Sequence, residues 1–324
     1  MSGRLFAGID IGATNIKFGL VDGDGAVVFR DQVPTPNDSS ADEIFDRVSF
    51  AGERLLVEAD DREGLVQYIG VGSPGSVNTT TGVVQGTCPN LPHWVGFPLR
   101  DRLAEKLNLF VMVDNDANCA ALAEQRFGVG KGYRNIICLT IGTGIGGALI
   151  IDGRLYRGAD FSAGEIGHLP VTPPGDAPGA LVPLEKVVSA PAILNAVRER
   201  LADKITPIFR SLIGTNLDHL TIKKIFVALG KGDPIVPEVL RVKGRLLGIG
   251  LAGLVNVINP EIVILGGGVA EGGRAFVDIV KETIVELALP AATTSLAVAA
   301  AKLGNAAGFI GAAFLGGDGD GQPQ

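Results

Sequence analysis

Three acid-bearing segments carry most of the chemistry this chain could perform. The first is Asp10, which ends an apolar run and precedes Gly12, Thr14 and Asn15. Aspartate at a strand end commonly closes an Asx turn, and the same position can hold a divalent cation through water beside a nucleotide. The second segment is Asp114-Asn115-Asp116-Ala117-Asn118, where a strand pattern hands over to a helix pattern. Any one of these polar residues could be an ordinary N-cap. As a group they fall at the carboxyl end of a strand, the usual ligand crevice of open α/β sheets. An aspartate in the first helical turn is kept ionised by the local dipole and can accept the proton of a hydroxyl attacking phosphorus. The third segment, Gly164-Glu165-Ile166-Gly167-His168, places a carboxylate and an imidazole three residues apart. HExxH is absent, so the pair reads either as a structural histidine with its neighbour or as a hydrogen-bonding set for a polyol.

Glycine accompanies these acids. The chain holds 46 glycines in 324 residues, roughly double ordinary usage, and they are clustered rather than periodic. Gly142-Thr143-Gly144-Ile145-Gly146-Gly147 matches GxGxxG. The dinucleotide fingerprint needs a helix directly afterwards, whereas residues 148–151 read as a strand. The run is expected to be a turn over 142–147, either a plain hairpin or one whose backbone N–H groups face phosphate oxygens. Its four glycines favour close approach of a ligand. No lysine is followed by Ser or Thr, so a Walker motif is missing.

These residues need a scaffold of strands ending in turns. Residues 5–12, 16–21 and 26–29 read as strands, with Asp22-Gly23-Asp24-Gly25 as a hairpin turn. A helix pattern spans 42–59. A buried strand over 65–71 leads into Gly72-Ser73-Pro74-Gly75, and a further strand over 109–113 precedes a helix over 116–127. Strands over 136–141 and 148–151 follow. Asp10 to Thr140 and Asp22 to Asp152 both span 130 residues, a repeat too long for a solenoid and suited to a duplicated α/β lobe. Helical patterns dominate 185–258, a strand covers 262–265 before Gly266-Gly267-Gly268, and a last helix covers 305–315. The fold class is α/β.

Composition removes other classes. A net charge of −7 argues against a duplex nucleic-acid binder, and 46% hydrophobic residues exclude a disordered chain. Three scattered cysteines form no disulfide framework, which points to the cytoplasm. No signal-peptide pattern opens the chain, and no predominantly apolar run reaches the ~20 residues of a membrane helix. The length predicts two domains.

In order along the chain, Gly8-Ile9-Asp10-Ile11-Gly12-Ala13-Thr14, Gly72-Ser73-Pro74-Gly75, Pro89-Asn90-Leu91, Asp114-Asn115-Asp116-Ala117-Asn118, Gly142-Thr143-Gly144-Ile145-Gly146-Gly147, Gly164-Glu165-Ile166-Gly167-His168 and Ile264-Leu265-Gly266-Gly267-Gly268 resemble the ROK family of sugar kinases. That resemblance implies an actin-like, hexokinase-like (ribonuclease H-like) ATPase fold with a cleft between two lobes. The small lobe would comprise 1–118 plus about 303–317 and the larger lobe 119–302, with 318–324 as a tail. Asp116 would be the general base. Asn90, Asn115, Glu165, His168 and Glu185 would hold the other sugar hydroxyls over a floor at Gly75. Gly12, Thr14 and Lys17 would form the first phosphate hairpin, Thr143 and Gly144 the second, and Gly267 and Gly268 the adenosine side. Asp10 would hold Mg²⁺ through water.

ATP and a hexose, most simply glucose, are the implied substrates, and a homodimer the implied assembly. Other hexoses such as N-acetylmannosamine, N-acetylglucosamine or fructose, polyphosphate as donor, and a sugar-sensing regulator are the alternatives. One departure stands out: the family's cysteine-rich zinc loop, with His168 as a ligand, is here a cysteine-free, proline-rich interval over 169–183. A tetrahedral zinc site needs four ligands, so no structural zinc is expected.

Overall fold

The computed structural model describes residues 3–36, 40–86, 88, 91–173, 175 and 179–317. Two five-stranded sheets form its frame. The first runs β3 (Val27–Pro34), β2 (Asn15–Val21), β1 (Arg4–Ile11), β4 (Leu65–Ser73), β7 (Phe110–Asn115). The turn at Asp22–Gly25 makes β1, β2 and β3 antiparallel neighbours, and β4 and β7 lie parallel to β1. Parallel neighbours need long crossovers. Helix α1 (Ala41–Asp60) supplies the first, and a two-residue ribbon of β5 (Val77–Asn78) and β6 (Val83–Val84) with helix α2 (Leu99–Leu107) supplies the second. A Ser40–Glu43 capping box starts α1, whose Ile44, Val48 and Leu55 are buried against the sheet.

The second sheet runs β10 (Arg154–Tyr156), β9 (Ile145–Ile151), β8 (Ile136–Ile141), β13 (Ile262–Gly266), β14 (Ala297–Ala300). Its order and its antiparallel and parallel partners repeat those of the first sheet, so the repeat in the sequence reflects two copies of one topology. Between β10 and β13 lie a ribbon of β11 (Pro170–Val171) and β12 (Val182–Pro183) and helices α4 (Leu184–Val188), α5 (Ala190–Ala202), α6 (Pro207–Ile213), α7 (Ile222–Gly230) and α8 (Ile235–Ile258). Helices α9 (Gly267–Glu271), α10 (Arg274–Leu287) and α11 (Pro290–Thr293) connect β13 to β14. One apolar core gathers around this sheet and its helices, another around the first sheet, α1 and α2.

Two passages join the sheets. The first is α3 (Asp116–Phe127), which leads from β7 to β8; the second leads from β14 to α12 (Ala307–Ala313). α12 packs back on the first sheet, where Gly8 and Gly70 leave no space for a Cβ beside the Phe309 and Ala312 carbonyls. The buried Glu124 of α3 ties both passages together. Its Oε1 accepts the N–H groups of Lys302 (2.8 Å) and Leu303 (2.7 Å), and its Oε2 accepts that of Val129 at 3.0 Å.

Several expectations change in detail. The turn at Gly142 is shorter than expected, because β9 already starts at Ile145. β3 extends to Pro34, and the final helix starts at Ala307 after a 3₁₀ turn over Gly304–Ala306. The sequence 318–324 lies outside the described residues.

Candidate active site

The first cluster of functional candidates stands where β7 becomes α3 without a loop between them. Asn115 is the N-cap: its Oδ1 accepts the N–H groups of Ala117 (2.9 Å) and Asn118 (3.2 Å), which have no carbonyl partner within the helix. Its Nδ2 donates to the Gly75 carbonyl at 3.1 Å, fixing the loop after β4. Gly75 has φ +80°, and a Cβ there would meet Cys88 Sγ at 2.6 Å, so this floor requires glycine. Asp116 accepts the Ala117 N–H at 2.8 Å. Burial, then the charge of Asp10, push the Asp116 carboxyl up to about 7; the Ala117 N–H pulls down, and Glu165 pushes up again. The dipole was expected to keep this group ionised, but desolvation and two neighbouring carboxylates outweigh it.

Asp10 lies near the end of β1, across from Lys17 on β2. Burial pushes its carboxyl up to about 6, against the pull of the Lys17 ammonium. From the other side α12 offers bare backbone: a Cβ at Gly308 would fall 2.5 Å from Asp10 Cγ and Oδ2. The adjoining turn closes with the Gly12 N–H donating to the Asn15 carbonyl at 3.1 Å. Thr35, which no sequence pattern marks, braces it by donating Oγ1–H to the Gly12 carbonyl (2.7 Å) and N–H to the Thr14 carbonyl (2.9 Å). Thr14 itself is exposed.

The second sheet supplies the remaining candidates. Glu165 and His168 flank the 3₁₀ turn Ile166–His168, and Glu185 is in the first turn of α4. Burial holds the Glu165 carboxyl above its ordinary range, opposed by His168 and assisted by Glu185. In the glycine turn, the Gly142 carbonyl accepts the Ala190 N–H at 2.9 Å. A Cβ on Gly144 would meet Glu185 Oε2 at 2.7 Å, so the turn and Glu185 are neighbours. Thr143 is exposed at the tip. Gly146 and Gly147 are not ligand-facing glycines as expected. They lie in β9, where Cβ atoms would meet Thr140 Oγ1 (2.8 Å) and Ala117 Cβ (3.1 Å) in the first case and the Gly164 carbonyl in the second. Gly267 backs the same turn, since a Cβ would stand 2.5 Å from the Ile141 carbonyl oxygen, while Gly268 faces open space.

The cysteine-free interval closes by strand pairing. Pro170 and Val171 pair with Pro183 and Val182, and the Leu184 N–H donates to the Leu169 carbonyl at 2.8 Å, returning the chain from His168 to Glu185. Among the described residues, no group of three or more His, Cys, Asp or Glu could hold a metal ion. Asp10, whose charge acts on the neighbouring Asp116 carboxyl, could hold a cation through water and phosphate oxygens. Asn90 lies outside the described residues.

The family model described as ROK family matches residues 6–318. The chain belongs to the ROK family. A glucokinase from Halalkalibacterium halodurans is 34% identical to this ROK protein over 321 residues, covering 97% of this chain and 96% of the relative. The crystal structure of a ROK family glucokinase from Streptomyces griseus, in complex with glucose and AMPPNP, superimposes with a TM-score of 0.82 at 34% identity, covering 96% of this chain and 98% of that one. A xylose repressor from Caldicellulosiruptor bescii is 30% identical over 94% of this ROK protein and 76% of its own length. No described helix of the ROK chain is long and apolar enough to cross a membrane.

Proposed function

We propose that this chain transfers the terminal phosphoryl group of ATP to a hydroxyl of a hexose, with glucose as the preferred acceptor and glucose 6-phosphate as product. The observation that carries the reading is Asp116. A carboxyl pushed up to about 7 exchanges its proton near neutrality, as a general base for a sugar hydroxyl must. Asp116 takes the hydroxyl proton while the oxygen attacks phosphorus and ADP leaves. Glu165, His168 and Glu185 orient the other hydroxyls, together with Asn90 and the Asn115 amide hydrogen that Gly75 does not use.

Gly12, Thr14 and Lys17 from one sheet and Thr143 and Gly144 from the other cradle the phosphates, with Gly267 and Gly268 on the adenosine side. Mg²⁺ at Asp10 would supply charge neutralisation on the phosphate oxygens; that carboxylate packs against Gly308, where a Cβ would clash with it. The catalytic unit is read as two lobes, 1–118 with about 303–317 and 119–302. Closure between them excludes water, which would otherwise take the phosphoryl group. A homodimer in the cytoplasm completes the proposal.

The similarity to glucokinases along nearly the whole chain favours glucose. The similarity to a xylose repressor supports the sensor alternative, but sugar sensing alone requires no proton acceptor facing Asp10. The test is ADP release with MgATP across a panel of hexoses, repeated with polyphosphate as donor, for wild type and Asp116→Asn. Turnover driven best by glucose and lowered about 10²-fold or more in the variant is expected. Sugar binding without turnover would transfer the protein to the sensor class.

A further inference from the structure

One buried charge lies beside this machinery without a part in it. Asp114, at the penultimate position of β7, is 2% exposed. Its Oδ1 accepts the Asn115 N–H (2.7 Å) and Asn118 Nδ2 (2.9 Å). Its Oδ2 receives both Nε (2.9 Å) and Nη2 (2.7 Å) of Arg157, the residue just after β10 on the second sheet. A buried carboxylate left without such a partner is strongly unfavourable, so this contact between the sheets is fixed in place.

Arg157 also opens the segment that ends at Glu165. Its carbonyl accepts the Ala163 N–H at 3.0 Å, folding 157–163 into a compact loop. The far end of that loop is attached to the first sheet as well, through Ser162 Oγ and Ser76 Oγ at 2.9 Å. Ser76 adjoins the Gly75 floor. Between the two attachments Phe161 has φ +58°, a left-handed conformation that a bulky residue adopts only when its surroundings impose it. The loop is held over the first sheet by a guanidinium at one end and a serine pair at the other.

We propose that Arg157 is a positioning residue for sugar capture. By gripping Asp114, two residues from Asp116, it sets where Glu165 and His168 stand relative to the base, although it touches neither substrate. The proposal rests on the hexose-kinase reading above. It gives the second sheet's edge strand a task that no sugar- or phosphate-binding motif contains. Arginine suits it because a planar, permanently charged group can reach one carboxylate oxygen with two donors.

The test compares wild type, Arg157→Met, Arg157→Lys, Ser162→Ala and the double variant Arg157→Met/Asp114→Asn. Sugar affinity is read without turnover from Trp94, the only tryptophan in the chain, which is buried and donates Nε1–H to Ser73 Oγ at 2.9 Å beside the floor. In Arg157→Met the sugar KM and Kd should rise about tenfold or more and kcat should fall, while the ATP KM moves less than about twofold. Added guanidinium should restore part of the loss, and Arg157→Lys should lie between the two. The double variant contains no unpaired buried charge, so it folds even where the single one does not. It should keep the raised sugar KM. Ser162→Ala should raise that KM more mildly.

Unchanged sugar constants in Arg157→Met overturn the proposal. So does a double variant with wild-type sugar constants, which would reduce Arg157 to a neutraliser of Asp114. Wild type that binds hexose but never phosphorylates it overturns the kinase reading alone, and Arg157 is then judged on the Trp94 titrations. Wild type that binds no hexose overturns both.

Discussion

Replacing Asp116, the proposed general base, should make this protein more stable while it destroys activity. The Asp116 carboxyl moves from 3.8 to about 7 on folding, chiefly through burial and the charge of Asp10. Between about pH 4 and pH 7 the folded chain keeps a proton that the unfolded chain has released. Stability therefore falls as pH rises across that window, and the loss is complete above about pH 7. A tenfold difference in proton affinity between the folded and unfolded chains is worth about 1.4 kcal/mol, so ionised Asp116 destabilises the empty enzyme by about 4 kcal/mol at most. Asp116→Asn removes this penalty and still accepts the Ala117 N–H, now bonded at 2.8 Å. The variant should exceed wild type by about 2 kcal/mol at pH 5.5 and about 4 kcal/mol at pH 8. Urea denaturation of both proteins at the two pH values, without ligands, measures the gap. A gap independent of pH, or a variant less stable than wild type at pH 8, would refute the reasoning.

Three further outcomes follow from the same geometry. Because the base must be ionised, kcat/KM for the sugar should fall about tenfold per pH unit below about pH 7 and level off above it, as a pH–rate profile will report. Gly308→Ala places a Cβ 2.5 Å from the Asp10 carboxylate; nucleotide titrations should show MgATP affinity weakened about tenfold or more, with sugar affinity retained. Glu124→Gln sets an amide NH₂ against a backbone N–H now bonded to the carboxylate, so denaturation should show a loss of about 1–3 kcal/mol.

Local signals made much of this legible. The helix over 116–127 and the strand over 136–141 match the structure at both ends because each begins and ends where periodicity changes and glycine or a polar cap intervenes. β14, with the sequence AVAA, lacks the alternation and bulk that mark a strand and is defined only by its pairing with β13. Thr35, Glu124 and Arg157 sit in no motif; among their partners, Gly12, Lys302 and Asp114 lie 23, 178 and 43 residues away respectively. The glycine run shows the limit most clearly. Composition correctly required close approach, but at Gly146 and Gly147 the approaching atoms belong to the protein itself. The ionisation of Asp116 was hidden for a similar reason, since burial and the facing acids exist only after the sheets meet.

The return of α12 to the first sheet has a consequence for synthesis. Every strand of that sheet is made before the second sheet begins, yet the helix that lies against Gly8 and Gly70 is made only after the second sheet is complete. The first half must wait with one apolar face uncovered while the second half emerges with all its own strands and helices in hand. A chain interrupted just before residue 307 would thus contain every residue proposed to contact sugar and still expose that face, making it a natural target for chaperones and proteases rather than a shorter enzyme.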